Sequence, residues 1–197
     1  MNVYSKTIKT LSIFTSIFLS IASLLSCIDG FIKFNDPSLT DGFKMIFLFI
    51  GVMSIFMTLI SLIGVVIHIG DIDFSKWILP AIVLTIGLGY LIKEITMVNA
   101  NKEIGISIDV SNIVSMIMAS LTILMGIGAI IANGVMKRDT LNRVLILIAF
   151  IFYFILLILR CSTFKEAGTL TVIELLFSFV ATFTAISTVI VGLVSQS

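Results

Sequence analysis

An all-α fold, a polytopic integral membrane protein built as a compact bundle of six transmembrane helices with short loops, is what the sequence predicts, and three observations carry it. Charge is sparse: 12% of the 197 residues are Asp, Glu, Lys or Arg, about half the roughly 25% of an ordinary soluble domain. Apolar residues make up 59%, with a mean hydropathy of +1.24. The remaining charges are clustered between apolar runs, six of which can cross the ~30 Å hydrocarbon core, a distance that takes about 20 residues. Backbone groups in lipid must be satisfied within the spanning segment, so these runs are helices. The whole chain, 1–197, reads as one transmembrane domain with helices over 8–27, 45–69, 77–95, 113–133, 143–160 and 174–194.

In the first run, Lys6 and Lys9 precede an apolar stretch ending in Leu24-Leu25-Ser26-Cys27, which resembles the lipobox of a bacterial lipoprotein signal. The stretch is longer than a signal h-region of about 7–15 residues, so a retained helix is expected over cleavage at Cys27. Ser12, Ser16, Ser20 and Ser23 form a small-residue stripe along it. The second run repeats the device with Gly51, Ser54, Thr58 and Ser61, the fourth with Ser115, Ala119, Thr122, Gly126 and Ala129, and the sixth with Ser178, Ala181, Ala185, Thr188 and Gly192. The third has Ala81, Thr85 and Gly89. Steps of three and four put each set on one helix face, and small side chains let backbones approach where lipid supplies no hydrophobic drive. The hydroxyls could line a solute path, but packing is the commoner use of such residues. In the fifth run only Ala149 is small between Val144 and Leu159, and Phe150, Phe152, Tyr153 and Phe154 crowd its middle. That helix is expected on the outside, facing lipid or a second copy.

Six crossings put both termini on one side, together with the tips 70–76 and 133–143. Lys and Arg divide evenly, with Lys6, Lys9, Lys76, Lys137, Arg138 and Arg143 on that side and Lys33, Lys44, Lys93, Lys102, Arg160 and Lys165 opposite. The terminal side packs its six into shorter loops, which places it in the cytoplasm. Nine of the twelve basic residues are Lys, and Ile and Phe are heavily used, which points to a bacterial gene of low GC content.

Candidate sites lie at both ends. On the outer side, Tyr90, Lys93, Glu94, Arg160 and Glu174 could form a pocket, with Arg160 and Glu174 pairing across the last hairpin. On the cytoplasmic side, Asp71, Asp73, Lys76, Lys137, Arg138 and Arg143 could dock a cytosolic protein. His68 with Asp71 and Asp73 matches no metal-site spacing, so no metal or cofactor is expected. Cys27 and Cys161 are too few for a disulfide framework and are read as free thiols. A net charge of +1 excludes the basic field of a nucleic-acid binder. Phosphate-loop, nucleophile-elbow and zinc-protease motifs are all missing, so an enzyme is not expected. The lack of charge in the small-residue stripes argues against a charged substrate.

Six short helices with small faces resemble, in outline, the substrate-binding membrane subunits of energy-coupling-factor vitamin importers; Ser12, Ser16 and Ser20 stand in place of their Ala-x-x-x-Ala contact motif. That resemblance is of outline only and implies a membrane component that binds a solute. The leading expectation from the residues is a non-enzymatic subunit that self-associates and serves as sensor, anchor or scaffold for a cytosolic partner, as in a bacterial stress or phage-defence pair. The alternative is a membrane component of a transporter, or a pore, for a small, mostly uncharged solute.

Overall fold

The computed structural model describes residues 3–69, 74–103, 105–161 and 168–195. Its described residues form six helices: α1 (Val3–Phe34), α2 (Asp41–Ile69), α3 (Phe74–Glu103), α4 (Val110–Gly134), α5 (Asp139–Cys161) and α6 (Thr169–Val194). Each is long and apolar enough to cross a membrane. Their outer faces carry large apolar side chains such as Phe56, Leu59, Leu124 and Phe183, more than half exposed. A continuous apolar surface of this kind suits hydrocarbon and would be a liability in water.

The helices are longer than the apolar runs. Letter composition marks where hydrocarbon ends, whereas a helix ends where its backbone bonds stop. Polar residues extend it when their side chains find partners. Lys33 bonds Asp29 one turn earlier at 2.7 Å and carries α1 past Cys27. At the head of α4, Asp109 accepts from the Ser111 hydroxyl at 2.8 Å and from its backbone N–H, which holds the Asp109 carboxyl below its usual range. Two consequences matter for the site. Lys93 and Glu94 sit well inside α3 rather than closing it, and Glu174 lies in the second turn of α6 rather than at its start.

Successive helices run antiparallel. Ser23 meets Thr58, Thr15 meets Thr184, Thr171 meets Asp29, and Asn112 meets Glu94, so residue numbers rise on one helix as they fall on its neighbour. Helices α1, α2, α3, α5 and α6 close a ring, and α4 packs outside it against α3 and α5. The small stripes of α1, α2, α4 and α6 are buried as the spacing predicts, with Ser12, Ser16, Ser61, Ala119 and Ala185 fully enclosed. Two crossings need glycine outright. A Cβ on Gly30 of α1 would stand 2.8 Å from the Phe47 carbonyl of α2, and one on Gly87 of α3 would stand 2.7 Å from Ile123 of α4.

The fifth helix is not peripheral. Ile146, Ala149, Phe150, Leu156 and Leu157 are at most 1% exposed, and α5 sits between α3, α4 and α6. Its bulk is the reason. Neighbouring helices faced with Ala, Ser and Gly leave room that the large α5 side chains fill, and alternating large with small faces reaches interior packing density. Only part of its surface, including Ile151 and Ile158, faces outward.

Pro80 lies inside α3. Proline has no N–H to offer the carbonyl four residues earlier, which is that of Lys76. Asn133 of α4 supplies the donor instead, with Nδ2 3.1 Å from the Lys76 carbonyl oxygen.

Candidate functional site

One turn of α3 presents Tyr90, Lys93 and Glu94 at i, i+3 and i+4, which are neighbours on a helix surface. Tyr153 and Arg160 of α5 are two turns apart on one face, and Glu174 and Ser178 of α6 one turn apart. The bundle brings these together at the end opposite the termini. Arg160 donates from both terminal nitrogens to the two Glu174 oxygens, the first bond at 2.7 Å. Such a forked pair is the strong form of a charge-assisted bond. Glu174 is 5% exposed. Lys93 Nζ stands 3.5 Å from one Glu94 oxygen and 5.7 Å from the centre of the Tyr90 ring. The other Glu94 oxygen accepts from Asn112 at 2.9 Å, which turns this carboxylate toward α4. Tyr90 and Tyr153 meet edge to face, ring centres 5.9 Å apart.

Below this cluster is a cavity of about 130 Å³. Its charged end is made by Lys93, Arg160 and Glu174, and its body by Ala22, Met53, Ile86 and Met57 among others. From Lys93 to Thr85 along α3 the lining extends about 12 Å at 1.5 Å per residue. Two of the hydroxyls on its walls are spent on their own helices. Ser23 donates to the Leu19 carbonyl at 2.7 Å, and Thr85 to the Ala81 carbonyl at 2.9 Å. Those side chains therefore present mainly carbon to the interior. Gly89 also lines the space, and a Cβ there would meet nothing within 4 Å.

All five residues expected in the outer-side pocket are thus brought together, although Glu94 stands behind Lys93 rather than on the lining. Sequence reasoning missed Tyr153, because α5 was expected to face lipid or a second copy, and favoured packing over a solute path for Ser54, Thr85, Gly89 and Ser178. One signal was available. Tyr153 lies seven residues before Arg160, a spacing that returns to the same helix face.

The terminal end is different. Lys76 forms an ion pair with Asp139 at 2.7 Å, which ties the head of α3 to the head of α5. Arg143 is turned inward rather than exposed at the tip. It is 7% exposed, and its guanidinium lies against Gly192 in the last turn of α6, where a Cβ would collide with it. The free carbonyls of a helix C-terminus carry partial negative charge, which suits a cation there. Lys137 and Arg138 are exposed in the α4–α5 turn, and Lys137 takes the left-handed conformation with φ 52°. Asp71 and Asp73 lie outside the described residues. Cys27 and Cys161 are free thiols, half-buried. Comparison with known proteins finds no matching family model, no matching curated protein and no matching solved structure.

Proposed function

We propose that the chain is a multi-pass protein of the cell membrane, with both termini in the cytoplasm, that holds a small solute in the cavity between α1, α2, α3, α5 and α6. It would act as the binding subunit of a transporter, or as a sensor, without catalytic chemistry of its own. The cavity carries this reading. It joins an apolar body to a charged end inside a bundle that packs closely elsewhere. The volume is near that of a 150 Å³ protein cavity known to take benzene. The buried charges at one end revise the expectation of an uncharged solute, since ionisable groups buried within membrane-spanning helices usually mark substrate sites.

The test is thermal unfolding of the purified chain in detergent against a panel of small solutes. A solute at 100 times its Kd stabilises by about 2.7 kcal/mol. Gly89→Leu fills the cavity and should remove that shift; an undiminished shift in this variant would sink the reading.

A second reading rests on the exposed turn of Val135, Met136, Lys137 and Arg138. Paired apolar and basic residues at one tip suit docking of a cytosolic protein, for which a self-associating bundle would be sensor, anchor or scaffold. Reversing charge at Lys137 and Arg138 should then abolish co-purification of that partner while leaving the bundle folded.

A further inference from the structure

We infer that the cavity takes a compact monoanion, a carboxylate on an apolar body, about five or six carbons in all, with its charged group at Lys93. The inference rests on the solute-binding reading above and adds the chemical class of the solute.

Three observations lead to it. The lining holds two cations, Lys93 and Arg160, and one anion, Glu174. Arg160 and Glu174 occupy each other through two bonds, so neither an incoming ammonium nor a second carboxylate finds that pair open. Glu94 does not line the cavity, and one of its oxygens is held by Asn112. Among the described residues Lys93 forms a 3.5 Å ion pair with the other Glu94 oxygen and lies over the Tyr90 ring. An ammonium has three donors, and those of Lys93 are the lining's least-used charged groups. A carboxylate placed there gains charge-assisted bonds.

The body of the ligand follows from the walls. Leu19, Ala22, Met53, Met57 and Ile86 are apolar, and Ser23 and Thr85 have already given their protons to backbone carbonyls. A sugar or polyol would find only the hydroxyls of Ser26, Ser54, Ser178, Tyr90 and Tyr153 to bond, so a carbon-rich body is favoured. The volume of about 130 Å³ matches a benzene-sized body.

Isothermal titration of the full chain in detergent at neutral pH, with pentanoate, pentanamide, pentylamine and decanoate as probes, decides it. Pentanoate should bind at least about tenfold more tightly than the amide or the amine, the worth of one charge-assisted bond. Lys93→Met should erase the preference for pentanoate while the amide still binds, which shows that the variant is folded. Gly89→Leu should remove binding of every probe. Equal or tighter binding of the amide or amine overturns the anion and leaves the cavity reading standing. Tighter binding of decanoate overturns the compact body. Absence of binding by all four probes, or pentanoate binding unchanged in Gly89→Leu, overturns both.

Discussion

Gly87 and Gly89 stand two residues apart on α3 and face opposite ways, about 200° apart at 3.6 residues per turn. A Cβ on Gly87 would run into Ile123 and the Ala119 carbonyl of α4; one on Gly89 would meet nothing within 4 Å. The same residue closes a seam on one side and leaves a cavity on the other. Helix α3 is therefore a partition. Toward α4 it is packed backbone to backbone, and toward α1 and α2 it borders open space with a charged end. Small residues at helical spacing signal close approach only when the opposite face is also small or interdigitates. Otherwise they signal room.

The largest way to break the contrast is at the charged end of the open side. Glu174→Gln should destabilise the bundle by about 3 kcal/mol, because it removes the counter-charge that a half-buried Arg160 guanidinium holds through a forked pair. Replacing both partners, Arg160→Met with Glu174→Leu, should recover most of that loss; thermal unfolding in detergent reads both. On the closed side, Gly87→Ala should cost about 1–3 kcal/mol by overpacking, measured the same way. An unaffected variant would mean that α4 yields easily. Asn133→Ala should cost about 1 kcal/mol and loosen the head of α3, since it removes the donor that serves the Lys76 carbonyl. Hydrogen exchange near residue 80 would locate the effect. Smallest, and opposite in sign, Gly89→Ala should raise stability by about 0.5–1 kcal/mol, because alanine is the better helix former and meets no neighbour. Loss of stability there would show that the space is not open.

Much of this fold was legible in residue order. Six apolar runs gave six helices, and the stripes of α4 and α6 are buried at the positions their spacing implies, from Ser115 to Ala129 and from Ser178 to Gly192. The pocket residues were legible as types, since charge beside long apolar runs is conspicuous. The place of α5 was not, because a helix rich in Phe and Ile reads alike whether it faces lipid or a wall of alanines. Nor was the fate of Arg143, which a tip sequence presents as solvent-facing and a glycine on another helix lets inside.

Hydrophobicity and helical period act along the chain, so the sequence by itself determined the number of helices, their inward stripes and the ends at which charge would gather. Volume and pairing act between helices that are far apart in the chain. Only the tertiary structure could decide that Arg143 turns in against Gly192, that Asn133 repairs the carbonyl left by Pro80, and that Gly89 borders a cavity while Gly87 closes a seam. A missing side chain is the same letter in both places, and what stands opposite gives it its meaning.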